Sequence, residues 1–567
     1  MRDLPLVAWT RMVGRGSRAE GLAAAFLLVA ALVIVIGWPL LATILAAWEG
    51  DAGPSGGLID AAMAGGVARP LGLAITTLKL VALAELVALP AGIALALVLA
   101  RTDALGGRAS RAALAMAAFV PMPLHAAAWL GSFGNMGRSQ AFGLPPLLVG
   151  LPGAAIVHGL AALPWAALLV GIGLRSVEPE LEDAALLDLP AWRVAVGLGL
   201  RRSLGAIATA ALAVAVLTAG DMTVTDLLQI RTYAEEAYVQ YGVGNGPGAA
   251  ATVALPPLLV LGTLIAGGAR WLSTADPARR SSGRARTWEL GRGRLPIGVA
   301  AATLACGLLA VPVAGLAWRA GRVGGVAARG IAPHWSIGGF LGTIRRAWST
   351  IAWPMAESAT WGAIAATIIV CLAWSLAWKG RNGGPWAWVA AGAAALSLAV
   401  PGPVAGMALV LAYRDVPPIY DTSANLVIAY VLRAWPYALL VLWPAMRSIP
   451  RAYLDAAELD GCTPPGVITH VALPMTRAAT VAAWGVAFLL SVGELPAANC
   501  VYRPGTSIAS VVIWGLLHTG VESHLAGVVL VLLGVVGVSG LVVARLISAA
   551  YGSRNGSALR GSGWRIP

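Results

Sequence analysis

Apolar residues in this chain run in long uninterrupted stretches, not with the period of an amphipathic helix or a half-buried strand. Segments 21–48, 71–100 and 527–550 are typical, and short polar segments separate them. At about 1.5 Å per residue, each can cross about 30 Å of hydrocarbon as a helix. Read this way, the first half holds spans near 21–48, 70–100, 113–133, 147–174, 204–226 and 249–272. The second holds spans near 297–318, 356–378, 387–412, 425–446, 478–498 and 524–550. The expected fold is an all-α membrane protein of about twelve helices. The first apolar segment follows Arg11, Arg15 and Arg18, is too long for a cleaved signal region, and reads as a retained helix.

Composition agrees: 58% of the 567 residues are hydrophobic, 11% are charged, and the mean hydropathy is +0.79. Soluble domains carry roughly 25% charged residues, so this chain lacks the polar surface to coat a soluble body. A net charge of +13 would suit a nucleic-acid binder, but the basic residues cluster in alternate short loops, as cytoplasmic segments do. That pattern predicts an inner-membrane protein with both termini cytoplasmic. The basic stretch 273–296, with Arg279, Arg280, Arg284, Arg286, Arg292 and Arg294, reads as a cytoplasmic linker beside anionic lipid headgroups, with no nucleic-acid partner. The longer segment containing Arg319 and Arg346 falls on the opposite side, where long loops obey the rule least.

The two lysines, Lys79 and Lys379, follow no glycine, so the phosphate-loop pattern GxxxxGK[ST] is absent and the chain itself should not hydrolyse ATP. Cys306, Cys371, Cys462 and Cys500 are widely spaced, and no metal site, disulfide framework or bound cofactor is expected. Six scattered histidines give no cluster for a membrane-embedded enzyme.

The chain repeats itself. Pro164, Arg175, Ser176, Asp183, Ala184, Ala185 and Asp188 recur 272 residues later as Pro436, Arg447, Ser448, Asp455, Ala456, Ala457 and Asp460. Leu217, Gly220 and Asp221 match Leu490, Gly493 and Glu494 at an offset of 273, and Val120-Pro121-Met122-Pro123 matches Val400-Pro401-Gly402-Pro403 at 280. The organisation expected is a six-helix unit over 1–272, the linker 273–296, and a second unit over 297–567. Six helices per copy leave both copies in the same orientation, related by a pseudo-two-fold axis along the membrane normal.

In each half, the loop after the fourth span carries the most specific signal. Asp455-Ala456-Ala457-Glu458-Leu459-Asp460-Gly461 predicts a short helix, with Tyr453, Ala456, Ala457 and Asp460 on one thin face. Gly461 suits a left-handed stop, Thr463 a cap, and Pro464 the first turn of the next helix.

These residues resemble the EAA loop of binding-protein-dependent ABC importer permeases: EAA, then Gly, then nine residues, then I-x-L-P. Asp455, Ala456, Ala457, Gly461, Val471, Leu473 and Pro474 stand at that spacing, with Asp for Glu and Val for Ile. The first-half loop departs from it, with Leu189 in place of Gly and Leu200-Arg201 in place of Leu-Pro. Glu494-Leu495-Pro496-Ala497, and less closely Asp221-Met222-Thr223-Val224, are similar to segments of the double-length ferric-iron and thiamine permeases. The resemblance implies a type I importer permease whose loops are coupling helices docking onto two copies of a separate cytoplasmic ATPase, which binds ATP and Mg. It also implies an extracytoplasmic solute-binding protein, and ferric iron as the first substrate to consider. Thiamine, polyamine and phosphonate remain open, as does an ion-gradient-driven transporter.

Asp221 and Glu494, toward the outer end of the fifth span in each half, have two readings. They line a translocation pathway, or they cap backbone and pair with a base at a helix break. Pro121, Pro123, Pro401 and Pro403 should break the third spans, either as a gate or as simple kinks. Lys79 and Arg433 are expected to snorkel or to pair with Glu85 or Asp226. His158 is a pathway candidate, and His125 reads as a hydrogen-bonded interior histidine.

Overall fold

The computed structural model describes residues 22–49, 68–135, 137–242, 262–263, 286–324, 334–519 and 522–558. Among them are eight helices long and apolar enough to cross a membrane, or eleven if each bent pair counts as one span. In chain order the first half contributes Leu22–Ala46, Leu71–Arg101, the bent pair Gly107–Ala118 and Met122–Gln140, Gly150–Leu174, and the bent pair Ala191–Arg202 and Leu204–Ala219. The second contributes Gly291–Gly321, Ile337–Gly380, the bent pair Pro385–Ala399 and Gly402–Tyr413, Ala424–Arg447, Pro464–Gly493 and Glu522–Gly540. The protein is an all-α, multi-pass membrane protein whose described residues hold one short antiparallel strand pair, Arg322–Val323 with His334–Trp335. Apart from residues 262–263, the sixth expected span, 249–272, lies outside the described residues, as does most of the linker.

Three boundaries differ from the sequence reading. The fifth helices stop at Ala219 and Gly493, so Asp221 and Glu494 lie just past them. The eighth helix begins at Ile337, placing Arg345 and Arg346 on its extension and not in a loop. The seventh begins within the expected linker, at Gly291. Hydropathy marks only the part of a helix that sits in hydrocarbon, so polar extensions are invisible to it.

Helix contacts depend on small residues, as expected where lipid supplies no hydrophobic drive between helices. A Cβ at Gly92 would stand 2.7 Å from the Cβ of Ala166, so the second and fourth helices approach almost backbone to backbone. The halves also exchange their first helices. Leu28, Leu32 and Ile36 share a core with Val404, Leu409 and Leu426, and Trp38 donates from Nε1 to the Ala412 carbonyl at 2.9 Å. Reciprocally, Leu316 and Ala320 pack with Leu124, Ala127 and Ala128 of the first half.

Candidate functional site

The third helix of each half breaks at its Pro-x-Pro element, bending by 107° and 105°. Pro121 and Pro401 take extended backbone (ψ 147° and 150°) as N-caps, and Pro123 and Pro403 sit in the following first turn, where a missing N–H costs nothing. The carbonyls freed by the breaks find partners inside the protein, as a membrane requires. Arg433 Nη1 donates to the Val400 oxygen at 2.7 Å, and buried His125 lies 3.4 Å from the Ala117 oxygen through Nε2.

Each break packs against the end of the other half's fifth helix. A Cβ at Gly493 would stand 2.7 Å from Pro121 Cγ, and one at Gly220 would stand 3.9 Å from Pro401 Cα. The Gly402 N–H also donates to the Gly220 carbonyl at 3.4 Å. Between the halves, Trp165 and its repeat partner Tyr437 face one another with ring centroids 6.3 Å apart. Equivalent residues meet in this way only at the axis that relates them.

Asp221 and Glu494 adjoin these contacts. Asp221 Oδ2 accepts from the Val224 N–H at 3.0 Å, and Glu494 Oε1 accepts from the Ala497 N–H at 2.9 Å. Both therefore cap the backbone after a helix end. Their second partners differ: Asp221 lies 3.7 Å from His158 Nε2, and Glu494 lies 3.7 Å from Arg433 Nε. Arg433 thus pairs with Glu494 rather than with Glu85 or Asp226, because the fifth helix ends early enough to bring Glu494 level with the tenth span. Asp226 instead accepts from His518 Nε2 at 2.9 Å. Among the described residues, no group of three or more His, Cys, Asp or Glu could hold a metal ion.

Each duplicated loop follows the fourth span of its half, after Leu174 and after Arg447. In the second, the helix Arg451–Leu459 ends on a glycine stop. Gly461 has φ +81°, its N–H donates to the Glu458 oxygen at 3.0 Å, and the Cys462 N–H donates to the Ala457 oxygen at 2.9 Å. Thr463 caps the next helix by accepting from the Gly466 N–H at 3.4 Å, with Pro464 in its first turn. Ala457 departs from the expected exposed face. It is buried, while Tyr453, Ala456 and Asp460 stay exposed with Asp455. Leu454 turns inward beside it and anchors the helix, since a single-layer helix needs one apolar stripe against the body. Leu473 is exposed, and Pro474 lines a cavity of about 1130 Å3 with Pro444, Ser448, Tyr453 and His470.

In the first loop the helix is Pro179–Ala185, and no left-handed turn forms at Leu189. Asp183, Ala184 and Asp188 are exposed and Ala185 is half-buried, with Asp183 paired to Arg286 of the linker. Glu182 replaces the inward Leu454 and is fully buried in an ion pair with Arg101, which also donates to the Leu174 oxygen at 2.6 Å. Where Leu-Pro is missing, the chain bends by 62° between Ala191–Arg202 and Leu204–Ala219, whereas Pro464–Gly493 continues as one span. The sequence reading missed two features. One is the Arg101–Glu182 pair. The other is a pair of leucines, Leu187 and Leu459, which occupy the same repeat position and are 86% and 88% exposed. Their shared 272-residue offset was the available signal.

This fold and these loops define a multi-pass membrane protein carrying two duplicated polar loops. Residues 369–550, less than half of the chain, match the family described as "Binding-protein-dependent transport system inner membrane component". The chain is also 26% identical, over 162 residues, to the putrescine transport system permease protein PotI of Escherichia coli strain K12 and to that of strain CFT073. The alignment covers 28% of this chain and spans 58% of the length of those curated relatives.

Proposed function

We propose that this chain is the transmembrane subunit of an ABC importer, with its two loops on the cytoplasmic face docking two copies of a separate ATPase. The observation that carries this is the pair Leu187 and Leu459. A large apolar side chain held this exposed at the same repeat position of both loops is the feature a docking partner would cover. The opposite face would receive substrate from an extracytoplasmic binding protein. Closure of the ATPase pair would draw the loops together, and the reciprocal contacts Pro121–Gly493 and Pro401–Gly220 would act as the gate about the axis. On this reading the chain forms no covalent intermediate, and ATP and Mg belong to the partner.

The substrate is a small cationic solute. An amine is favoured by the similarity to putrescine permeases, and ferric iron by the likeness of Glu494-Leu495-Pro496-Ala497 to iron permeases. The test is reconstitution with the cognate ATPase and binding protein. Leu187→Asp together with Leu459→Asp should abolish ATPase association and ATP-driven uptake at normal membrane yield. Full uptake by the double variant would refute the docking role, and competition of uptake by diamines against ferric iron separates the two substrates.

A further inference from the structure

On the face away from the loops, a second cavity of about 740 Å3 opens between the halves. Asp226, Gln229, Arg231 and Glu235 of the first half line it, with Leu517 and His518 of the second. Of its charged groups, Asp226 is held by His518 at 2.9 Å. The Arg231 guanidinium is held by Glu236 at 2.9 Å, and Glu236 also takes Arg69. Glu235 differs. It is 5% exposed, and its Oε2 has no hydrogen-bond partner, the nearest base being Arg231 Nε at 3.9 Å.

Glu235 lines this polar cavity, and a buried carboxylate oxygen without a donor is a costly arrangement unless something completes it. We propose that this cavity is a binding site for an alkylammonium group, with Glu235 as its principal acceptor and Asp226 and Gln229 beside it. A primary ammonium carries one charge and three donors, which matches one unsatisfied carboxylate among neutral and acidic oxygens. Among the described residues, no cluster of three His, Cys, Asp or Glu is placed to hold a metal ion there. Burial pushes the Glu235 carboxyl up to about 7, with Glu236 and Asp226 acting in the same direction and Arg231 against them. His518 faces the same cavity from the second half. A bound ammonium therefore competes with the Glu235 proton. That the site serves uptake rests on the importer reading. Its existence does not, because binding is measurable on the isolated chain.

The test uses the full chain in nanodiscs, with no ATPase, and butylammonium as the probe. Binding should weaken about 30-fold from pH 8 to pH 5.5, following the ionised fraction of a carboxyl with its pKa near 7. Glu235→Gln should bind at least about 30-fold more weakly at pH 8 and lose the pH dependence. On the wild type, butylammonium but not butanol should protect Glu235 from carbodiimide modification, located by mass spectrometry. This readout needs no variant to fold. Equal binding by Glu235→Gln, a flat pH profile in the wild type, or equal protection by butanol would each overturn the site.

Discussion

The two loops reach the same exposed position by different means. In the second, an apolar anchor and a glycine stop hold the helix: Leu454 and Ala457 face inward, and Gly461 turns the chain. In the first, the buried pair Arg101–Glu182 takes the place of the apolar anchor, and Leu189 leaves the helix without a left-handed turn. Yet Leu187 and Leu459 end equally exposed. Placement of the outward leucine is thus preserved while its support has diverged.

The largest expected effect comes from breaking the ionic support. Arg101→Met leaves Glu182 buried without a counter-ion and should cost about 3–5 kcal/mol, read as a fall in thermal stability and membrane yield. Adding Glu182→Leu, which imitates the second loop, should restore most of it. If the single variant is as stable as the wild type, the pair does not anchor the first loop.

Next come the carboxylates after the fifth helices. Glu494→Gln keeps an oxygen for the cap but leaves Arg433 short of a counter-ion, a loss of about 1–3 kcal/mol. Asp221→Asn should cost less, because His158 can remain neutral beside it. Measuring uptake and complex yield on the same preparations separates the roles. A pathway role predicts reduced uptake at normal yield, more for a cationic than for a neutral solute. Reduced yield with proportional uptake would leave only the cap.

The smallest effect concerns the stop. Gly461→Leu meets open space but forces a side chain into left-handed backbone, about 1 kcal/mol, and should weaken ATPase co-purification. Leu189→Gly should change it far less. Equal effects would remove the asymmetry between the loops.

Much of this was legible in the chain. The repeat offsets, the breaks at Pro121 and Pro401, and the stop at Gly461 are local rules of proline and glycine and survive any tertiary context. The Arg433 partner was not legible, because it depends on where the fifth helix ends relative to another span. Nor was the Arg101–Glu182 pair, which joins residues far apart in sequence. The inward turn of Ala457 was hidden because a short helix in so Ala-rich a sequence has several thin faces.

The most direct test of the importer reading is the energy source of uptake in proteoliposomes holding this chain with the cognate ATPase and binding protein. The account predicts uptake that requires ATP, persists when ion gradients are collapsed, and disappears in the Leu187→Asp, Leu459→Asp variant. Uptake by the chain alone, driven by an ion gradient without ATP, would contradict it.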